Sequence, residues 1–199
     1  MLTDIIDKIM KFILKELLSA VDISNYTKKR NMEHMLNLDE MRSALRKQNS
    51  ITAGQDGEKY ASEWLEKSKW KFECVEQGTN TLSANLKSYG GKRPDFIIDA
   101  DHSSYILLDA KYHSTDRCTS FTLTDCEIGK YRALQQFLKN ANSDCTFEVV
   151  FMVFPKEKNG NEFTFVILDE FDKGECTTLA SKDATKISLL NRDDLWFKS

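Results

Sequence analysis

Glycine and proline are scarce: 8 Gly and 2 Pro in 199 residues leave little room for long flexible or low-complexity segments. Cysteine occurs five times, at 74, 118, 126, 145 and 176, an odd number with no CxxC spacing. That pattern supports neither a zinc ligand set nor a disulfide framework, and free thiols in a reducing cytoplasm are expected. The apolar N-terminal stretch is broken by Asp4, Asp7, Lys8, Lys11, Lys15 and Glu16, which fits neither a signal peptide nor a membrane span. Basic residues are not in excess either: 28 Lys and Arg against 31 Asp and Glu give a formal charge of −3 and a pI near 5.7. Domains that bind nucleic acid are ordinarily basic, so such a partner would be met by a local patch, an oligomer or a second protein. A GxxxxGK[ST] loop is missing, so the chain carries no P-loop of its own.

What is present describes a globular chain. Hydrophobic residues at 41% and charged residues at 30% suffice for a buried core with a charged surface. At about 150 residues per domain, the length gives one domain with an appendage. Apolar residues at helical spacing predict amphipathic helices over 3–21 and 31–48. These two helices read either as cover for the core or, through Met32, Met35 and Met41, as a surface for a homodimer or another partner. A third helix is expected over 58–67 and an alternating strand over 69–75, followed by a polar loop over 77–91. Thr124-Asp125-Cys126-Glu127 has the form of a capping box and opens a helix to about residue 140. Residues 145–154 are nearly all apolar and predict a central strand buried on both faces. A turn at Asn159-Gly160 leads to a strand over 162–168. The remainder, 169–199, reads as a short helix or irregular tail whose Leu189, Leu190, Leu195, Trp196 and Phe197 dock on the core.

The most informative stretch is Lys92-Arg93-Pro94-Asp95-Phe96-Ile97-Ile98-Asp99 together with Tyr105-Ile106-Leu107-Leu108-Asp109-Ala110-Lys111-Tyr112. Each is an apolar run of strand length with charge at a place where a buried strand would avoid it. The polar segment 100–104 between them suits a hairpin loop. Alternation puts Asp109 and Lys111 on one face and Ala110 on the other, and antiparallel pairing brings Asp95 beside them. Two adjacent carboxylates repel unless a cation sits between them, and oxygen ligands suit Mg²⁺ or Mn²⁺.

Pro-Asp, thirteen intervening residues and Asp-x-Lys resemble the signature of the PD-(D/E)xK nuclease superfamily. Arg-Pro-Asp-Phe-Ile-Ile and Leu-Leu-Asp-Ala-Lys-Tyr are similar in particular to the nuclease domain of McrC-like restriction proteins. The resemblance spans about residues 54–168. It implies a restriction-endonuclease-like αβββαβ core of mixed α/β class over 51–199, with 1–50 as an N-terminal helical extension. It also implies Mg²⁺ or Mn²⁺ held by Glu58, Asp95, Asp109 and the carbonyl of Ala110, with Lys111 acting on water or on the transition state. Glu58 lies in Gly-Glu-x-x-Ala-x-x-Trp-Leu, which looks like the core's opening helix, and Glu63 is the second choice; by spacing alone Glu58 is a favourable partner for the helix dipole. Lys92, Arg93, Arg117, Lys130 and Arg132 are candidate phosphate contacts, the last two also reading as a solvated helix face. His102 falls in the hairpin turn, His113 follows the lysine strand, and His34 lies in the N-terminal helices.

The activity so implied is metal-dependent phosphodiester hydrolysis, by a DNA endonuclease of restriction or phage-defence type. McrC-like proteins work with a separate GTP-hydrolysing motor subunit, and the present chain departs from them in lacking a recognisable long N-terminal region. An RNA endonuclease of the same fold and a non-catalytic nucleic-acid-binding or assembly module are the alternatives. The intact Asp95, Asp109 and Lys111 set disfavours the last of these.

Overall fold

The most apolar run in the chain becomes the middle of a sheet. The computed structural model describes residues 56–77, 82–192 and 195–199. The helices expected over 3–21 and 31–48, and His34 with them, lie outside the described residues. The elements are α1 (Asp56–Ser68), β1 (Phe72–Cys74), α2 (Ala84–Ser88), β2 (Phe96–Asp99), β3 (Ser104–His113), β4 (Ser120–Thr124), α3 (Asp125–Ala141), β5 (Thr146–Pro155), β6 (Glu162–Ile167), β7 (Glu175–Leu179), β8 (Lys182–Ser188) and β9 (Trp196–Lys198). Short 3₁₀ turns at Lys156–Lys158 and Leu168–Lys173 flank β6. The class is mixed α/β.

The main sheet has the order β1-β2-β3-β5-β6-β9. β3 and β5 run parallel over ten paired positions, Ser104↔Thr146 to His113↔Pro155. Such pairing needs a crossover, and β4 with α3 provides it. The other neighbouring pairs are antiparallel. β5 is buried along its whole length after Thr146 because helices cover both of its faces. Alternation puts Phe151 on one face and Phe154 on the other. Tyr131 of α3 meets Phe151 edge-on at 4.9 Å, while Tyr60 of α1 lies 5.6 Å from Phe154. Trp64 extends the α1 contact to Phe163 at 5.2 Å. Phe151, Phe154 and Tyr131 are fully buried, and such aromatics each contribute about 3–5 kcal/mol by truncation, while Tyr60 is half-buried at the edge of its contact.

The second sheet, β4-β8-β7, is where the structure departs most from the expectations. Residues 113–123, whose mostly polar make-up reads as a connection, lead into β4, whose Phe121 and Leu123 are fully buried. The stretch expected as a tail contains the β7–β8 hairpin and β9. Leu179 pairs with Lys182 across a two-residue turn, Ala180-Ser181, both at positive φ (50° and 62°). Arg192 then pins the C-terminal segment: its guanidinium donates to the carbonyls of Phe165, at 3.0 Å, and Ser188, and pairs with Glu170. Phe197 is buried as expected, whereas Leu190 is 58% exposed. The loop expected over 77–91 contains α2, which starts where the Ser83 hydroxyl accepts from the Leu86 N–H at 3.1 Å. Asn159-Gly160 forms the expected turn, with positive φ at both residues.

Candidate active site

Local pairing in the β2–β3 hairpin creates the centre of the site. The register Phe96↔Leu108 leaves Asp95 one step before β2, where its N–H donates to the Leu108 carbonyl at 3.0 Å. Its carboxylate turns across the hairpin and accepts from the Ala110 N–H at 2.8 Å. Gln77 steadies the approach by donating to the Pro94 carbonyl at 2.7 Å. Asp109 and Lys111 share the α3-facing side of β3, and their side chains pair at 2.8 Å.

Both long helices then point their first turns at this hairpin. Gly57 lets α1 approach: a Cβ there would stand 3.1 Å from the Tyr112 backbone N and 3.3 Å from Tyr112 Cβ. A side chain at 57 would push the helix start away from β3, and Glu58 with it. Glu127 enters from the first turn of α3. The Thr124 hydroxyl caps that turn by accepting from the Glu127 N–H at 3.2 Å. The Glu127 carboxylate accepts from Lys111 Nζ at 2.7 Å and Lys92 Nζ at 3.1 Å. Glu58, Asp95, Asp109, Ala110, Lys111, Lys92 and Arg93 line one cavity of ≈510 Å³, with Gln77, Tyr112, His113 and Lys156 completing its wall.

The electrostatics follow from this crowding. Burial first, then the charges of Asp109 and Glu58, push the Asp95 carboxyl up to about 8, against the Ala110 N–H and Lys111. Burial and then Asp109 likewise raise Glu58. Burial opposes the charge on Lys111, but Asp109 and Glu127 outweigh it and hold the ammonium above its ordinary value. Burial acts to raise Glu127 too, yet Lys111 and then Lys92 bring it down to about 2. Burial followed by Lys111 lowers His113, which keeps its ring neutral at the cavity wall. The cluster is therefore acidic at Glu58 and Asp95 and tightly paired at Lys111 and Glu127. Among the described residues, no three His, Cys, Asp or Glu side chains stand in a ready-made metal-holding group. The carboxylates converge as a charge set, with ammoniums on both oxygens of Asp109.

Not every sequence candidate reaches the cavity. Arg132 is committed to the 3₁₀ turn after β6, donating to Asp169, to Asp172 at 2.8 Å and to the Leu168 carbonyl. Lys130 is exposed on α3, and Glu63 is exposed on α1. Arg117 sits on an exposed turn in which Asp116, Arg117 and Cys118 all take positive φ (46°, 60° and 64°). Glu157 holds that turn, accepting from the N–H groups of Thr115 and Arg117 at 3.0 and 3.3 Å. His102, in the hairpin turn, is tied to Asp99 through its N–H at 2.7 Å and is largely exposed. Glu127 and Lys156 were not singled out by the sequence. Glu127 had a signal, but its position three residues after Thr124 matches a capping box, and its true partners are 16 and 35 residues away. Lys156 follows Pro155 at the end of β5, and only the parallel pairing with β3 brings it to the site.

No family model matches this chain, and neither a curated protein nor a solved structure matches it.

Proposed function

We propose that this chain is a metal-dependent phosphodiester hydrolase of the PD-(D/E)xK kind, most specifically a DNA endonuclease of restriction or phage-defence type. The observation that carries the reading is the convergence of Glu58, Asp95, Asp109 and Lys111, from two strands and a helix, in one cavity. The chemistry of the donor set fits a hard divalent cation. Burial first, then the charges of Asp109 and Glu58, hold Asp95 as an acid to about pH 8, and a cation is what would replace that proton. Asp95, Asp109 and Glu58, with the Ala110 carbonyl, would hold Mg²⁺ or Mn²⁺. When bound, the ion supplies Lewis acidity, which lowers the pKa of water and neutralises charge on the phosphate.

The chain's own residues do the rest. Lys111 stays charged because Asp109 and Glu127 flank it, so it acts by orienting water or by stabilising the anionic transition state rather than as a neutral base. Glu127 fixes the ammonium from the α3 side. Lys92 and Arg93 bring positive charge to the cavity for the phosphate oxygens. No helix among the described residues is long and apolar enough to cross a membrane, and a nucleic-acid partner fits a site of this make-up better than a lipid one.

Circular plasmid, single-stranded DNA and single-stranded RNA, each incubated with wild type and Lys111→Ala in Mg²⁺, Mn²⁺ and EDTA, test the reading. Metal-dependent cutting of DNA that disappears in the variant is expected. Cutting of RNA alone would transfer the site to an RNA endonuclease. Silence under every condition, with no Mn²⁺ uptake by calorimetry, would leave only the assembly module. A motor subunit and a homodimer through residues 1–50 belong to the same proposal, since one active centre cuts one strand at a time.

A further inference from the structure

Lys92 stands outside the Pro-Asp and Asp-x-Lys pattern, yet its ammonium lies within the acid cluster. Its Nζ is 3.1 Å from Glu127 Oε1 and 3.7 Å from Asp109 Oδ1, and it sits 4.5 Å from the centre of the Tyr131 ring. Lys111 takes the same three partners. Its Nζ is 2.7 Å from the same Glu127 oxygen, 2.8 Å from the other Asp109 oxygen and 5.5 Å from the same ring. One carboxylate oxygen thus carries two ammoniums, and each oxygen of Asp109 faces one of them. Holding two long cationic side chains at one place costs rotamer freedom and mutual repulsion, and a lysine left to the solvent avoids both.

The surrounding charge explains the pair. Glu58, Asp95, Asp109 and Glu127 are four carboxylates acting on one another or on the same lysines, against two ammoniums. Arg93 does not complete the balance, since the charge acting on it is that of Glu76, and Lys156 lies over the Tyr112 ring. Once Asp95 gives up its proton, the four carboxylates outnumber the two ammoniums by two charges, which is the charge of a single divalent ion. A carboxylate has about four lone-pair sites, so Asp109 has room for one ion beside its two lysines. Tyr131 belongs to the same cluster: its side chain is fully buried, its ring lies under both ammoniums, and Asp109 acts on its hydroxyl by charge and by hydrogen bond.

Two-ion hydrolases place their metals about 3.5–4 Å apart, and together the ions stabilise the attacking and leaving oxygens. Resting on the hydrolase reading above, we propose that Lys92 is the site's second cation: its ammonium, held by Glu127 and the Tyr131 ring beside Asp109, would supply the charge that such enzymes take from a second metal, so this site takes one ion. Lys92 lines the cavity, so a phosphate bound there would meet its ammonium.

The test is Mn²⁺ titration of the full chain by calorimetry, with free Mn²⁺ counted by electron paramagnetic resonance, for wild type, Lys92→Ala and Lys92→Arg. One Mn²⁺ per wild-type chain is expected. Lys92→Ala should take up a second, weaker ion, and Lys92→Arg should keep one. Cleavage by Lys92→Ala should fall by about 10²-fold at low Mn²⁺ and recover in part at high Mn²⁺, with Lys92→Arg much less affected. Two ions in a wild type that cleaves would overturn the inference and leave the hydrolase standing. Unchanged stoichiometry and unchanged cleavage in Lys92→Ala would also overturn it. A wild type that neither binds Mn²⁺ nor cleaves removes the hydrolase reading and this inference together. Wild-type stoichiometry decides the matter even if the alanine variant folds poorly.

Discussion

Asp109→Asn should reduce metal-dependent cleavage by roughly 10³-fold or more while leaving a folded protein. Asp109 is 2% exposed and faces Lys111 at 2.8 Å and Lys92 at 3.7 Å. Asparagine keeps the shape and one acceptor oxygen but removes the charge on which both lysines converge and on which the proposed metal would rest. Removing one partner of a buried pair is often destabilising, because the other charge is left without compensation. Here Glu127 remains on both lysines, which limits that cost, and the β3 backbone pairing is untouched. Plasmid nicking rates, set beside far-ultraviolet circular dichroism and a thermal melt, separate the two effects. A folded Asp109→Asn that cuts at the wild-type rate would remove Asp109 from the chemistry. Loss of fold and activity together would show that the carboxylate is needed first for structure.

The second large effect is on pH. Without metal, stability should fall as pH rises from about 4 to about 8, because the Asp95 carboxyl is raised from 3.8 to about 8 in the folded state. Between those values the folded chain keeps a proton that the unfolded chain releases. The contribution is therefore complete below the unfolded pKa and is lost as pH passes through the folded one, on the order of a few kcal/mol in all. Glu148, buried on β5 with one oxygen unpartnered and raised by burial and then Asp169 to about 7, acts with the same sign. Glu127 is lowered, so its contribution is present above 4.5 and lost only as pH falls toward about 2, outside this window. Denaturant unfolding between about pH 5 and pH 8 should show a falling trend in wild type. The trend should be flatter in Asp95→Asn, with Glu148→Gln reporting the other share. Mn²⁺ should restore stability at the upper end, where it takes the proton's place. A wild-type profile without slope would mean that burial and the neighbouring carboxylates do not hold the proton on Asp95.

The parts of this molecule legible in the sequence are those whose partners lie nearby in the chain. The β2–β3 hairpin, the Thr124 cap, β5 and the Asn159-Gly160 turn each rest on a local pattern of apolar alternation, capping or turn chemistry. The β7–β8 hairpin was missed because its turn puts Ala180 and Ser181 at positive φ, a conformation whose usual marks are Gly, Asn or Asp. β4 was missed because Ser, Thr and Cys surround its two buried residues, and only β8, some 60 residues on, makes it a strand. The same division runs through the site. Asp95, Asp109 and Lys111 form a local pattern, and Glu58 was singled out by motif. Lys92 was a candidate from its place beside Pro-Asp, whereas Glu127 takes its meaning from Lys111 and Lys92, 16 and 35 residues away. Arg132, placed by the sequence on a helix face, goes instead to Asp169 and Asp172, 37 and 40 residues away.

The hairpin also bears on how the chain folds. Asp95, Asp109 and Lys111 are joined by a loop of a few residues, closed where Ala100 donates to the Ser104 carbonyl at 2.9 Å. The parallel β3–β5 pairing closes a far longer loop through β4 and α3, and Glu127 reaches the cluster only then. Short loops close first because they lose less chain entropy. The mutual repulsion of the two aspartates therefore falls on an early step, when Lys111 is the counter-charge already in the same hairpin. On this hypothesis the lysine has a kinetic duty besides its chemical one, and slower refolding of Lys111→Ala without metal is its signature. Equal refolding rates would confine the residue to the finished site.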